Sequence, residues 1–215
     1  MLPFATGEEI ARAVGPACEQ LRSNRVVAYP TETLYGLGSL VTEPGLAALG
    51  RLKGREAGKP FLLLVEGRTM AESWGLRFDR VAEALAATFW PGPLTLVLPA
   101  AAARLPDLLR GTSGGVAVRQ SPHRGAAALV HTLGEPITST SANRAGGAPA
   151  SSGEAVESIF APEVGRGELL VLDGGALLPG APSSLVDCTG PRPGLLREGA
   201  IARAELERVI GNPLT

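Results

Sequence analysis

The 215-residue sequence has few of the features that mark membrane, secreted and metal-binding proteins. Its longest apolar runs, such as FLLLV at 61–65, are too short to cross a bilayer. The N-terminus has no basic start followed by a long apolar run, so we expect no secretory signal and predict a cytoplasmic location. Its two cysteines, Cys18 and Cys188, are far apart and lack metal-ligand spacing, which favours free thiols over a disulfide or a metal site.

Aromatic residues are also scarce, at 4%, whereas hydrophobic residues make up 45% of the chain and charged residues 19%. These proportions indicate a globular protein whose core is filled mainly by Leu, Val and Ala. The formal net charge is only -1, which argues against a general coat for nucleic acid. The charge is uneven, because residues 51–144 contain 12 of the 20 Lys and Arg residues but 7 of the 21 Asp and Glu residues. This bias predicts a local anion site.

Several common enzyme signatures are missing from the sequence. It contains no Walker A sequence, no G-x-G-x-x-G and no G-x-S-x-G, which disfavours a P-loop enzyme, a Rossmann dehydrogenase and an α/β-hydrolase. His123 and His131 have no Cys or carboxylate partner at ligand spacing, so we expect no zinc site. We therefore predict no protein-held metal.

Strands alternate with helices along most of the chain, which is typical of an α/β protein. The first helix begins at a capping box formed by Thr6 and Glu9, and a loop over 30–39 follows the first strand, at 25–29. Three late strands have no intervening helices, so we expect a mixed sheet. Further strands are predicted at 61–65, 94–98, 116–119, 137–141, 169–172, 184–187 and 195–197, and helices at 6–22, 46–53, 79–88, 122–133, 152–159 and 202–210.

Polar segments stand at the ends of several predicted elements. PTETLYGLG at 30–38 follows one strand, and STSAN at 139–143 ends another before a glycine-rich loop. Hydroxyls and backbone N–H groups in such places suit a phosphate or a carboxylate, and Lys53 and Arg55 can converge on a polyphosphate. Each segment alone is also explained by an ordinary turn, or by favourable positive charge at a helix C-terminus.

Three further polar residues also stand beside predicted strands: Arg119 and Arg197 at strand ends, and Ser183 just before a strand. An isolated arginine usually faces solvent and contributes little, and a serine there is also an ordinary turn residue. A role for these residues in a binding site can therefore be inferred only from the order of the motifs along the chain.

Taken in order, seven segments resemble the YrdC-like threonylcarbamoyl-AMP synthases: VAYPTETLYGLGS, LKGR, FWPGPLTLVL, VAVR, STSANRAGG, APSSLVD and LLREGAI. The resemblance extends from about residue 8 to residue 205. It implies an α/β fold in which a twisted, mostly mixed sheet, flanked by helices, surrounds a large basic concave cavity. Because longer members add a second C-terminal domain, we expect the short type, with a single domain over 1–215.

The resemblance implies a nucleotidyltransferase that makes threonylcarbamoyl-AMP and pyrophosphate from L-threonine, bicarbonate or CO2, and ATP, with Mg²⁺ on the phosphates. The product would pass to the tRNA threonylcarbamoyl-transfer machinery, which forms N6-threonylcarbamoyladenosine. By motif, catalysis falls to Lys53 and Arg55. ATP would be bound by Lys53, Arg55, Lys59, Ser141, Asn143 and Arg197, and threonine by Thr31, Thr33, Arg119, Ser139 and Ser183.

The sequence departs from the family pattern at several positions. Lys59-Pro60-Phe61 replaces the frequent Asn-Pro-Leu, and Leu64 stands where many members have histidine. No base for the threonine amine is identified, and Glu32 is the candidate. The alternatives are a double-stranded-RNA-binding or ribosome-maturation module that uses the same cavity for direct RNA contact, a related carbamoyl-transfer enzyme, and a non-catalytic paralogue.

Overall fold

The computed structural model describes residues 1–54, 60–100, 105–178 and 180–215. The strands are β1 (Leu2–Pro3), β2 (Val26–Pro30), β3 (Tyr35–Gly38), β4 (Leu62–Leu64), β5 (Leu94–Leu98), β6 (Val116–Arg119), β7 (Ile137–Ser141), β8 (Leu169–Asp173), β9 (Ser184–Asp187) and β10 (Gly194–Arg197). The helices are α1 (Gly7–Arg22), α2 (Glu43–Lys53), α3 (Arg68–Ser73), α4 (Arg80–Phe89), α5 (Arg124–Leu133), α6 (Gly153–Ile159), α7 (Ala161–Gly165) and α8 (Arg203–Ile210). A 3₁₀ turn spans Asp107–Leu109.

The strands form one sheet in the order β1-β8-β2-β3-β7-β4-β6-β5-β9-β10. Four neighbouring pairs are parallel, namely β1 with β8, β8 with β2, β4 with β6, and β5 with β9. The other pairs are antiparallel. The predictions of an α/β fold and a mixed sheet are therefore confirmed.

The prediction of a loop over 30–39 is wrong for its second half, because Tyr35–Gly38 forms strand β3. Two glycines weaken the strand signal of this segment. The segment nevertheless pairs on both sides, with β2 and with β7, and every residue in it is buried. The short elements β1, α3 and α7 were not predicted, because they are too short to show a hydrophobic period.

The capping box predicted for α1 is present. The Glu9 backbone N–H donates to Thr6 Oγ1 at 3.3 Å, and Glu9 Oε2 accepts from the backbone N–H of Thr6 at 2.9 Å. These bonds satisfy donors that the first helical turn leaves free. The apolar face of α1, including Ile10, Val14 and Leu21, is buried. Thus α1 is fixed at its start and along one side.

Alternation along the strands divides the core into two clusters on opposite faces of the sheet. In β2, Val27 and Tyr29 belong to the cluster that α1 and α5 cover, whereas Val26 and Ala28 belong to the other cluster. Both clusters are mainly aliphatic, as predicted, with a few fully buried rings such as Phe4. No helix in the described ranges has the length and apolar character needed to cross a membrane.

Candidate active site

A cavity of about 630 Å³ opens over the half of the sheet formed by β4, β6, β5 and β9. In β5, Leu94, Leu96 and Leu98 enter the core, whereas Thr95 and Val97 line the cavity. Strand β6 follows the same rule, because Val116 and Val118 are core residues while Ala117 and Arg119 face the cavity. The floor of the cavity is therefore one face of the sheet, and its side chains are set by strand alternation.

Strand β7 shows how the same face changes from core to cavity. Ile137 packs in the cluster beneath α1 and α5, and Ser139 and Ser141, two and four residues later, line the cavity. Because side chains two apart point to the same face, these residues form one row. The helix layer thus covers the sheet on one side of this row, and the cavity occupies the space beyond it.

Of the two cations among the described residues that line the cavity, Arg119 is the more buried, with 4% exposure. Its Nη1 lies 3.0 Å from Glu32 Oε1, and Glu32 Oε2 accepts a 2.5 Å hydrogen bond from Ser121 Oγ. Within the described part of the chain, Arg119 Nε and Glu32 Oε1 are buried without a hydrogen-bond partner. The 3.0 Å contact is therefore an ion pair whose direction does not suit a hydrogen bond. A buried donor without a partner is costly, so the ion pair with Glu32 is the interaction that holds the buried Arg119 charge.

Ser183 is held at the cavity by Thr95 and Arg197. Its Oγ lies 2.8 Å from Thr95 Oγ1, and its carbonyl oxygen accepts from Arg197 Nε at 3.1 Å and from Arg197 Nη2 at 2.9 Å. Partial burial, and secondly the positive charge of Arg119, lower the pKa of Arg197 below its usual value. An arginine remains a cation under these conditions, so a second positive charge stands at the cavity.

The turn after β2 places Thr31 and Thr33 at the cavity. Thr31 Oγ1 donates to the Leu34 carbonyl at 2.7 Å and accepts from the backbone N–H groups of Thr33 and Leu34, each at 3.2 Å. Thr33 Oγ1 is 3.2 Å from Thr31 Oγ1. The Thr31 hydroxyl is thus used to hold the turn, and Thr33 carries the hydroxyl with fewer internal contacts.

Lys53 ends α2 and reaches the end of β7. Its Nζ donates to the Ser141 carbonyl at 2.5 Å, to Ser141 Oγ at 3.1 Å and to Asn143 Oδ1 at 2.5 Å. Asn143 Nδ2 in turn donates to the carbonyls of Arg144 and Gly147, at 2.8 and 2.7 Å. The structure therefore joins three predicted ATP residues in one cluster, in which Asn143 braces the loop and Lys53 contacts both Ser141 and Asn143.

Arg144, which was not predicted, connects this cluster to the outer helices. Its Nη1 donates to the Leu52 carbonyl at 2.9 Å, beside Lys53. Its Nη2 donates to both carboxylate oxygens of Glu163, at 2.9 and 2.8 Å, and its guanidinium lies over the Phe160 ring. Arg144 thereby fixes the C-terminal end of α2 against α7.

The predicted site residues mostly meet in one place. Seven of them line the cavity, namely Thr31, Thr33, Arg119, Ser139, Ser141, Ser183 and Arg197. Lys53 and Asn143 lie beside it, through Ser141. Arg55 and Lys59 lie outside the described residues. Sequence reasoning missed Thr95, which the alternation of β5 could have revealed, and Ser121, which no local pattern marks.

The comparisons with known proteins agree with one another. The family described as "Telomere recombination" (Sua5_yciO_yrdC) matches residues 19–199. A protein of Pyrococcus abyssi named threonylcarbamoyl-AMP synthase is 36% identical over 193 residues, or 89% of this chain and 55% of its own length. The protein of the same name from Thiobacillus denitrificans is 40% identical over 171 residues, or 78% of this chain and 86% of its own length.

Solved structures give the same picture. The structure of P. abyssi Sua5 complexed with L-threonine has a TM-score of 0.85 and 34% identity, and the match covers 99% of this chain and 61% of that one. E. coli YciO has a TM-score of 0.77 and 25% identity, with 92% and 93% of the two chains covered. This chain therefore spans little more than half of its P. abyssi relative, and the single-domain organisation stays a prediction.

Proposed function

The chain belongs to the Sua5/YciO/YrdC family, and from this premise we propose that it is a threonylcarbamoyl-AMP synthase. In the proposed reaction the threonine amine takes up CO2 derived from bicarbonate and forms a carbamate. A carbamate oxygen then forms a bond to the α-phosphorus of ATP, and the bond to the leaving pyrophosphate breaks. The enzyme would thus be a nucleotidyltransferase, with ATP as a substrate.

The buried guanidinium of Arg119 is the observation that best supports a threonine site. Arg119 is only 4% exposed, and its side chain lines the cavity. A carboxylate is the ligand that a guanidinium binds most specifically. Thr33, Ser139 and Ser183 place hydroxyls on the same cavity, and these hydroxyls are suited to the amino acid's polar groups.

The ATP end is proposed for the cluster of Lys53, Ser141 and Asn143 together with Arg197. The attacking carbamate and the leaving pyrophosphate are both anionic, so their approach is opposed by repulsion. One unit-charge contact at about 4 Å is worth roughly 4 kcal/mol at an effective dielectric of about 20. Positive charges at Lys53 and Arg197 would therefore lower the barrier substantially.

Mg²⁺ is proposed only as a companion of ATP. In the described ranges no three His, Cys, Asp or Glu side chains lie close enough together to hold a metal ion. Asp187 is the carboxylate among the described lining residues, and its Oδ1 already accepts from the Thr189 backbone N–H at 2.9 Å and from Thr189 Oγ1 at 2.6 Å. Mg²⁺ commonly binds through substrate phosphates, water and one or two carboxylates, and Asp187 would be the carboxylate that the described lining supplies.

The cellular context also belongs to the proposal. We propose that the adenylate is handed to the machinery that modifies tRNA, in the cytoplasm. Direct RNA contact stays a prediction. The near-neutral net charge of the chain does not favour binding to the phosphate backbone of RNA.

The decisive experiment incubates the protein with ATP, threonine and labelled bicarbonate, and measures pyrophosphate and a labelled adenylate. We expect both products, and both should require threonine. In the Arg119→Met variant, threonine affinity measured by calorimetry should fall about 10- to 100-fold, because a hydrogen bond to a charged group is lost. Arg12→Met, which removes an exposed arginine paired with Glu8, serves as the matched control. ATP consumption without a threonine requirement would refute the proposal.

A further inference from the structure

We propose that Glu32 is the positioning residue of Arg119, and that this carboxylate fixes the direction in which the guanidinium meets the substrate carboxylate. The inference rests on the proposed function, because it assigns how the threonine end of the cavity is built. Glu32 lies in the turn after β2, and its carboxylate meets Arg119 Nη1 at 3.0 Å. The side chains of both residues are largely buried, with 5% and 17% exposure for Arg119 and Glu32.

The carboxylate of Glu32 is itself held from behind. Ser121 Oγ accepts from the His123 backbone N–H at 3.2 Å, at the start of α5. Because that contact uses an oxygen lone pair, the Ser121 hydroxyl hydrogen is free to donate to Glu32 Oε2, at 2.5 Å. A continuous row of contacts therefore leads from the start of α5 through Ser121 and Glu32 to Arg119.

The backbone of Glu32 is fixed as well as its carboxylate. The neighbouring Thr31 closes the turn, since its backbone N–H donates to the Leu34 carbonyl at 3.1 Å and its hydroxyl donates to the same oxygen at 2.7 Å. Glu32 therefore has little freedom to follow a moving partner. Ordering an arginine side chain costs conformational entropy. Because its partner is rigid, Arg119 is already ordered in the free protein, and substrate binding does not have to supply that free energy.

The same geometry speaks against Glu32 as the base for the threonine amine. Arg119 lines the cavity, whereas Glu32 does not, and Glu32 Oε1 is buried. A general base must come within hydrogen-bond reach of the proton that it removes. The substrate lies on the far side of the guanidinium, so Glu32 acts on it through Arg119.

The far end of this row of contacts reaches a second cavity. Ser121 also lines a separate cavity of about 340 Å³, together with Glu66, Gln120 and His131. The row therefore leads from this second cavity, through Ser121 and Glu32, to Arg119 at the first cavity.

The test compares the affinities of L-threonine and L-threoninamide, which differ in the carboxylate that Arg119 would bind. Wild-type protein should prefer threonine, and Glu32→Gln, which keeps the size of the side chain and removes its charge, should reduce this preference about 10-fold. A purely structural defect would weaken both ligands alike and leave the ratio unchanged. Ser121→Ala should reduce the ratio in the same direction, by about two- to fivefold, because it removes one hydrogen bond.

The controls separate this inference from the proposed function. Glu66→Gln removes a carboxylate at the second cavity that pairs with His131, and the ratio should stay at the wild-type value. In an Arg119→Met background, Glu32→Gln should have no further effect on threonine affinity. If wild-type protein binds neither ligand, the proposed function fails. If wild-type protein prefers threonine but Glu32→Gln keeps or increases that preference, only the role of Glu32 is overturned.

Discussion

Two glycines of β3 should respond very differently to replacement by alanine. A Cβ on Gly38 would lie 2.6 Å from the Thr138 carbonyl oxygen and 2.8 Å from Tyr29 Cε1. The first contact is with the backbone of the neighbouring strand β7, which cannot rotate away. A Cβ on Gly36 would meet Ser139 Oγ at 3.2 Å and the Tyr29 ring at 3.5 Å, and a hydroxyl can shift by a few tenths of an ångström.

The expected magnitudes follow from these contacts. Overpacking costs about 1–3 kcal/mol, and the restriction of the unfolded chain returns about 0.4–1 kcal/mol. Because Gly38→Ala clashes with backbone, we expect a net loss of about 2 kcal/mol, which lowers Tm by about 4–8 °C in a chain of this size. Gly36→Ala should change the free energy of unfolding by less than about 1 kcal/mol.

Gly36→Ala should instead affect binding. Gly36 lines the cavity, and its new methyl group would occupy space beside Ser139. For Gly36→Ala we expect weaker threonine binding by calorimetry and a nearly unchanged melting curve by circular dichroism. For Gly38→Ala we expect a clearly lower melting temperature and a smaller effect on threonine binding. Equal melting temperatures for the two variants would refute the reasoning.

Two further predictions concern the supports of the site. Arg144→Ala removes the contacts with Leu52 and Glu163. Because charged hydrogen bonds are broken, the free energy of unfolding measured by urea denaturation should fall by about 1–3 kcal/mol, and ATP should bind more weakly. Unchanged stability would contradict the bracing role of Arg144. Burial lowers the pKa of His123 from 6.5, although the charge of Glu32 acts in the opposite direction. The unfolded chain then binds the proton more readily, so this contribution to stability is complete above about pH 6.5 and is lost as the pH falls through the lowered folded pKa. His123→Asn keeps a capping side chain and should flatten this part of the stability profile, whereas an unaltered profile would exclude His123 as its cause.

Much of the fold could be predicted because the central strands carry a clear signal. The bounds predicted for β5, β6, β7 and β9 match the structure, since each is a short run that follows a glycine, proline or serine. Strand β3 was missed because its glycines favour a turn when only local sequence is considered. Its stability comes from two neighbouring strands, and that information is not local.

The site was predictable to a different degree. Arg119 and Ser183 gained their assignments from the order of the motifs, since each residue alone also suited a solvent-facing or turn position. The link between Glu32 and Ser121 joins residues 89 apart in the sequence. Such a pair leaves no periodic or spacing signal, so only the folded chain reveals it.

The order of the strands has a consequence for synthesis on the ribosome. Thr31 and Thr33 are made early, whereas Ser183 and Arg197, which line the same cavity, belong to the β9–β10 region near the end of the chain as given. Strand β5 cannot pair with its parallel neighbour β9 until β9 has been made. A nascent chain that has folded its first helix and early strands would still have an open half-cavity. Under the proposed function, threonine and ATP would therefore meet a complete site only after this region has been made.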